Sequence, residues 1–450
     1  MDNQPNSYIP TPPQENNENT PVNTGNVPTG TTQGSSPTYT PNYNGQASPY
    51  GQAPSYTPGA PYYTPPAQPY NSGYTNQGGP SPSQIYYSRQ NGAPQYHYGA
   101  PTPGIAFNND YYTQQREAYN KKKNAERKIR GVGNIAGAAM IGCMIVALMF
   151  SVALVIPPLL DLYDSNFSAK SLINMFYTLV VVGGTMAVFG VFFKRHAQAQ
   201  AKEYGGVNVY EFTTKFTAPK NKLQAVLLIL ISFGGCMLAN YVSSILLTIL
   251  ESFGLYSTYN SIQDPKTISD LIVFCLSVAV MPALIEEFAV RGILLSHLRR
   301  YGNGFAIITS AIFFGVFHGD AAQIPFAFIC GLFFAYTVIA TDSLWPGIII
   351  HAMNNSLSCI SSVLMQVADE ETANMFFYVV SIAGIVLGGA CLLIYRNLFK
   401  DDGVLKFQGD AIELTLGQKV GKFLTSPLML VALGLYFLQA LLTLTTQQFS

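Results

Sequence analysis

Long apolar runs dominate the sequence, and most of them are longer than the core helices of a soluble protein. Nine runs follow residue 130, at positions 135–156, 172–193, 223–250, 271–295, 305–317, 324–340, 348–367, 375–395 and 428–444. A helix needs about 20 mainly apolar residues to cross the hydrocarbon core of a bilayer. The runs therefore predict an all-α polytopic membrane protein with about nine transmembrane helices.

The basic residues between the runs predict how the helices are oriented. Segment 116–130 contains seven Lys and Arg residues, and loops 194–222 and 396–422 are also basic. The alternate loops are poor in basic residues: Lys170 and Lys266 are the only Lys or Arg residues in 157–171, 251–270 and 367–374. Basic residues near the ends of spans favour the cytoplasmic side of the membrane. We therefore expect a multi-pass protein of a bacterial plasma membrane, with a cytoplasmic N-terminus, nine crossings and an outer C-terminus.

The first 115 residues differ in composition from the rest of the chain. Of the 28 prolines, 20 lie before residue 110, and this stretch contains no leucine. Such a segment cannot bury enough apolar surface to offset the entropy of ordering. The sequence predicts a disordered, cytoplasmic Pro/Tyr/Gly/Gln/Asn-rich tail at 1–115, a basic juxtamembrane segment at 116–130 and a transmembrane helical domain at 131–450. It indicates no particular partner for the tail.

The overall charge excludes nucleic acid as a partner. The predicted partners are the lipid bilayer and a membrane protein or peptide substrate. The formal net charge is zero and only 11% of the residues are charged, so there is no basic excess to neutralise phosphates. The six cysteines all lie in apolar stretches. We interpret them as small buried side chains rather than as a disulfide framework.

A few ionisable and amide groups lie inside the predicted spans, where they are costly and usually functional. One span contains Glu286, Glu287 and Arg291, the next ends at His318, and a later one contains His351 and Asn355 near its start. Residues four apart share a helix face, so Glu287 and Arg291 are predicted to form a structural ion pair. Glu286 points about 100° away from Glu287 and stays free for chemistry. The polar groups of these three helices predict one shared cavity.

Two chemistries suit this set of groups. In the first, Glu286 and His318 take a proton from a water that attacks a peptide carbonyl, while His351 and Asn355 stabilise the oxyanion. In the second, Glu286, His318 and His351 bind a zinc ion, which keeps an open position for water. The residue types leave both alternatives open, and they indicate no other cofactor.

Three short patterns on successive apolar segments carry a resemblance to a known family. They are Glu-Glu-x-x-x-Arg at 286–291, Phe-x-x-x-His at 314–318 and His-x-x-x-Asn at 351–355. In this order they resemble the CPBP family of intramembrane proteases, which includes type II CAAX prenyl endopeptidases and bacteriocin-immunity (Abi-like) proteins. The resemblance covers a core at 271–367. It implies an all-helical membrane core, endopeptidase activity and the residue roles of the first chemistry.

We therefore expect an intramembrane endopeptidase that hydrolyses a peptide bond of a membrane-associated or CAAX-like protein substrate. The alternative is a non-proteolytic membrane binding protein that uses the same cavity for bacteriocin self-immunity, scaffolding or transport. Many transporters have matching Gly/Pro-broken helices in two repeated halves, and this sequence shows no such symmetry.

Overall fold

The structure is a computed structural model that describes residues 87–90, 93–96, 109–203, 216–257, 267–400, 402–409 and 411–445. Most of the predicted tail, 1–115, lies outside these residues, so its disorder stays a prediction. Within the described part of the tail, strands β1 (Tyr87–Gln90) and β2 (Ala93–Tyr96) pair antiparallel, with Tyr87 opposite Tyr96.

Most of the remaining described chain is helical. The first helices are α1 (Asn109–Leu154), α2 (Pro157–Ser165), α3 (Phe167–Tyr177), α4 (Thr185–Glu203) and α5 (Lys222–Ser252), with a π-helical segment, Thr178–Gly184, between α3 and α4. The central helices are α6 (Ile268–Cys275), α7 (Met281–Glu287), α8 (Ser296–Leu298), α9 (Asn303–Phe317), α10 (Gln323–Thr341) and α11 (Trp345–Val367). The last are α12 (Glu370–Leu398), α13 (Leu416–Leu424) and α14 (Pro427–Leu442). The short strands β3 (Tyr256–Ser257) and β4 (Leu444–Thr445) pair antiparallel.

The predicted fold class, an all-α polytopic membrane protein, is confirmed. Among the described residues, seven helices are long and apolar enough to cross a membrane, and the bent pair α13–α14 supplies an eighth if it is one span. α9 is apolar but has only 15 residues. That length corresponds to about 22 Å at 1.5 Å per residue, which is shorter than the hydrocarbon core. α1 begins at Asn109, before the predicted tail boundary, and includes the whole basic segment 116–130.

Small residues let several helices approach each other closely. A Cβ placed on Gly234 of α5 would lie 2.6 Å from the carbonyl oxygen of Gly384 in α12. A Cβ on Gly137 of α1 would overlap the backbone of Leu428 and Met429 in α14. Helices in lipid associate largely through van der Waals packing, which favours small residues at such crossings. The first and last long helices of the chain are therefore in direct contact.

Contacts between loops sort the helix ends into two groups. At one end the ion pairs and hydrogen bonds are Lys422–Glu126 (3.0 Å), Lys220–Asp342 (3.7 Å), Arg299–Asp342 (3.8 Å) and Asn303 Nδ2 to Val404 O (2.8 Å). At the other they are Ser168 Oγ to Asp270 Oδ1 (2.6 Å), Ala321 N to Thr443 Oγ1 (3.2 Å) and the pairing of Tyr256 with Thr445. The start of α1 and the end of α14 thus lie in different groups, as an odd number of crossings requires.

Candidate active site

The span that carries the two glutamates is not a regular α-helix. A π-helical segment, Leu276–Val280, separates α6 from α7, and a second one, Phe288–Leu295, follows α7. Pro282 lies at the start of α7, and proline has no N–H to donate to the carbonyl four residues earlier, here that of Val278. Instead, Asn355 Nδ2 donates to Val278 O at 3.2 Å. The irregular helix therefore supplies a backbone acceptor that holds one of the predicted catalytic residues.

Glu287 and Arg291 form a fully buried ion pair. Arg291 Nη1 lies 2.8 Å from Glu287 Oε1, and both side chains have 0% exposure. Arg291 Nη2 donates to Gly331 O at 3.3 Å, and the guanidinium lies over the ring of Phe314, 4.3 Å from its centroid. A buried ion pair is stable only when additional polar contacts compensate for the lost water. These contacts fix Glu287 against α9 and α10.

Glu287 also contacts His351, a contact that the sequence analysis missed. Nδ1 of His351 lies 3.2 Å from Glu287 Oε1. A hydrogen bond at one ring nitrogen sets the tautomer of the ring, so a proton on Nδ1 leaves Nε2 for the cavity. The imidazole also stacks on Phe334, with the two centroids 5.4 Å apart. The spacing of Glu287 and Arg291 predicted their ion pair, but no local signal relates position 287 to position 351.

Glu286 lies on the opposite side of His351 and is half-buried. Its Oε2 lies 4.0 Å from His351 Nε2, which is too long for a direct hydrogen bond. Within the described part of the chain, this buried oxygen has no hydrogen-bond partner. Most buried polar atoms in native proteins do have one. Glu286 therefore has a carboxylate oxygen available for a molecule in the cavity.

His318 directly follows α9, and its ring is held by its own helix. Nδ1 lies 2.7 Å from Phe314 O, so Nδ1–H donates to that carbonyl and Nε2 remains an acceptor. The ring of Phe314 packs edge-on against both imidazoles, with its centroid 4.9 Å from that of His318 and 5.8 Å from that of His351. Phe314 therefore positions the two histidines relative to each other.

The structure brings the predicted catalytic residues together at one cavity of about 330 Å³. Its lining includes Glu286, His318, His351 and Asn355. Asn354 lines it as well, and donates from Nδ2 to Asn355 Oδ1 at 3.4 Å. The remaining wall combines phenylalanines and small apolar residues with Gln323, Ser358 and Ser362, so about half of the lining residues are polar. Polar groups that converge on a cavity in this way are typical of a ligand-binding or catalytic pocket.

The predicted zinc ligands, Glu286, His318 and His351, are not placed to bind one zinc ion together. Among the described residues, no group of three His, Cys, Asp or Glu side chains is close enough to hold a metal ion. A catalytic zinc site needs three protein ligands, each about 2.0–2.3 Å from the ion. Glu286, His318 and His351 share the cavity, but as they stand they do not fit a zinc ion.

A comparison with known protein families identifies the segment that contains these groups. Residues 268–357 match the family described as type II CAAX prenyl endopeptidase Rce1-like. This match supports the resemblance that the three motifs indicated. The match covers 90 of the 450 residues, a fifth of the chain. No curated protein and no solved structure gives a significant match.

The matched segment runs from the first residue of α6 into α11. It includes all four predicted catalytic residues, and it leaves α1 to α5 and α12 to α14 outside the match. Residues just beyond it, Ser358, Cys359 and Ser362, complete the wall of the cavity. The four predicted catalytic residues therefore lie within the matched segment, while part of the cavity wall lies outside it.

Proposed function

We propose that the protein is an intramembrane endopeptidase that hydrolyses a peptide bond of a membrane-associated or CAAX-like protein substrate. The observation that carries this proposal is the single cavity shared by Glu286, His318, His351 and Asn355 within the family-matched segment. Ionisable groups inside membrane-spanning helices are costly and usually functional. A protease that works within the bilayer needs such groups, because they bring water to a peptide bond there.

Glu286 acts as the general base in this proposal. Its Oε2 accepts a proton from a water in the cavity, and Nε2 of His318 accepts a hydrogen bond from the same water. The oxygen of that water then attacks the carbonyl carbon of the scissile peptide, and Glu286 passes the proton to the leaving amine. A positioned acid or base contributes about 10²–10⁴-fold to the rate of such a step.

His351 and Asn355 stabilise the oxyanion in this proposal. His351 makes this contact through Nε2, which donates to the oxyanion while Nδ1 is held 3.2 Å from Glu287 Oε1. Asn355 donates one amide hydrogen to Val278 O and has a second one for the oxyanion. Donors held in place before the reaction are effective because they need no reorganisation.

The test of this function compares membrane peptides from cells that express the wild-type chain, Glu286→Gln or Glu413→Gln. Glu413 is exposed and lies outside the cavity lining, so its substitution controls for the loss of a carboxylate. We expect Glu286→Gln to lower the rate at which new peptide termini form by about 10²–10⁴-fold, with unchanged insertion. Undiminished cleavage removes Glu286 from the mechanism. If no new peptide terminus requires expression of the protein, the non-proteolytic alternative is favoured.

We propose the glutamate route rather than the zinc route, because the three possible ligands do not converge on one point. The purified chain is dialysed against a chelator, its residual zinc is measured, and its activity is compared with that of the untreated protein. We expect activity to persist in zinc-free protein. Loss of activity on chelation and recovery on addition of zinc would establish the metal route instead.

We also propose that the protein lies in a bacterial plasma membrane with its N-terminus in the cytoplasm. The basic residues of segment 116–130 and of loops 194–222 and 396–422 support this orientation, since such residues favour the cytoplasmic side. The tail then lies in the cytoplasm.

A further inference from the structure

Two cysteines that are 84 residues apart in the sequence meet at the wall of the cavity. Sγ of Cys275, the last residue of α6, lies 2.6 Å from Sγ of Cys359 in α11. Cys359 lines the cavity, as does Phe274, the neighbour of Cys275. The sequence predicts that all six cysteines are small buried side chains, because their spacing gives no reason to pair any two. The structure adds this pair.

The sulfur pair lies next to the predicted catalytic groups on both helices. His351, Asn355 and Cys359 are spaced four residues apart along α11, so they share one face. Asn355 bonds to the carbonyl of Val278, which is three residues after Cys275. The same two segments therefore contact each other twice in succession, once through an amide–carbonyl hydrogen bond and once through two sulfur atoms.

Cys275 is the most accessible cysteine of the chain. It is partly exposed, while the other five cysteines are buried. It lies about 10 Å along the helix axis from Ile268, where the span begins, at 1.5 Å per residue. This is the end of the bundle near Thr445, because Tyr256, which lies just before this span, pairs with Thr445 there. With a cytoplasmic N-terminus, that end faces the oxidising side of the membrane.

We propose that Cys275 and Cys359 are a site of reversible disulfide formation, with a small organic disulfide as the oxidant. The Cys275 thiolate attacks one sulfur of the organic disulfide, which releases one small thiol and leaves a mixed disulfide on Cys275. The Cys359 thiolate then attacks the Cys275 sulfur and releases the second small thiol. The two protein thiols lose two protons and two electrons in total, and the organic disulfide is reduced to two thiols.

The disulfide slows peptide cleavage, a consequence that rests on the proposed endopeptidase function. The cavity of about 330 Å³ is at the low end of the range of about 300–1,000 Å³ found for small-ligand pockets. A peptide segment therefore needs α11 and the π-helical segment Leu276–Val280 to move apart. A covalent bond one turn from Asn355 holds these two segments together and keeps the cavity narrow.

The first experiment maps the bond itself and does not depend on activity. The full chain in lipid nanodiscs is treated with oxidised glutathione, blocked with N-ethylmaleimide, digested and analysed by mass spectrometry. We expect a peptide that links Cys275 to Cys359 and disappears on reduction. Cys391→Ser is the matched control, because this buried cysteine lies outside the cavity lining, and it should retain the link. Recovery of both Cys275 and Cys359 as unlinked cysteines after oxidation overturns the proposal.

The second experiment measures the rate at which the same samples cleave a farnesylated peptide that ends in a CAAX sequence. We expect oxidation to lower the initial rate of the wild type and of Cys391→Ser by at least about fivefold, the lower range of typical coupling between sites, and reduction to restore it. Cys275→Ser and Cys275→Ala should keep their rates under oxidation. An equal loss in these two variants overturns the link to cleavage. If the reduced protein does not cleave the peptide, this substrate class is wrong, and the peptide map still decides the disulfide site.

Discussion

At the scale of single residues, one carboxylate serves both the stability and the chemistry of the cavity. Glu287 Oε1 lies 2.8 Å from Arg291 Nη1 and 3.2 Å from His351 Nδ1. Gly347 allows this arrangement, since a Cβ at that position would lie 3.0 Å from Glu287 Oε2. The ion pair therefore orients an imidazole as well as neutralising a buried charge.

Glu287→Gln tests the buried ion pair. The substitution keeps the shape of the side chain and removes the negative charge that faces Arg291, so we expect a loss of about 3–5 kcal/mol in the free energy of unfolding. Thermal unfolding in nanodiscs measures the change. The matched control is Glu126→Gln, which removes a pair of similar length, 3.0 Å, whose side chains are 29% and 31% exposed. Loss of such a pair costs about 0–1 kcal/mol, and equal shifts for the two variants would contradict the interpretation.

The residue types and their helical spacing predicted which groups meet, but not how they touch. Residues four apart share a face whatever the rest of the fold, so the pairing of Glu287 with Arg291 follows from the sequence. The contacts of His351 with Glu287 and of Cys275 with Cys359 join residues 64 and 84 positions apart. Only the packing of α11 against the span Ile268–Tyr301 determines them, and no local pattern records that packing.

At the scale of whole elements, the span with the two glutamates shows the limit of hydropathy patterns. The apolar run at 271–295 predicts one span, and the structure has one continuous helical span at Ile268–Tyr301, in which two π-helical segments interrupt the α-helical turns. Pro282 has no N–H to donate within the helix, and Asn355 from α11 donates to the Val278 carbonyl. A lone proline in a span does not tell which neighbouring helix supplies that partner.

The crossing of α5 and α12 offers a test at this scale. The spacing of Gly384 and Gly388 predicts close helix packing, and a Cβ on Gly388 would lie 3.0 Å from Leu230 O and 3.1 Å from Gly234 Cα. Gly388→Leu should therefore destabilise the protein by about 1–3 kcal/mol, seen as a lower melting temperature. Gly389→Leu is the matched control, because nothing lies within 4 Å of a Cβ there. A larger effect at 389 than at 388 would contradict this packing.

At the scale of the whole molecule, loop contacts complement the charge pattern of the sequence. The basic loops meet at one end of the bundle, where Lys220 and Arg299 both approach Asp342. Not every basic residue there acts as a topology signal. Lys419 has only 2% exposure and donates to the carbonyl oxygens of Tyr301 and Gln408 at 2.7 and 2.8 Å. The sequence places Lys419 in a basic loop but does not distinguish a buried lysine from a solvated one.

The number of crossings decides on which side of the membrane the end of α9 and His318 lie. The contact of Ala321 with Thr443 puts the end of α9 and the end of α14 on the same side of the membrane. With this contact in place, the C-terminus lies outside only if α9 and α14 both cross the membrane. Reporter fusions test this: green fluorescent protein should fluoresce at the N-terminus, and alkaline phosphatase should be active after residue 450 and within loop 367–369. Fusions at 204–215, within the basic loop 194–222, serve as the cytoplasmic control. A fluorescent C-terminal fusion would mean an even number of crossings, and would place His318 at a membrane face different from the one that we propose.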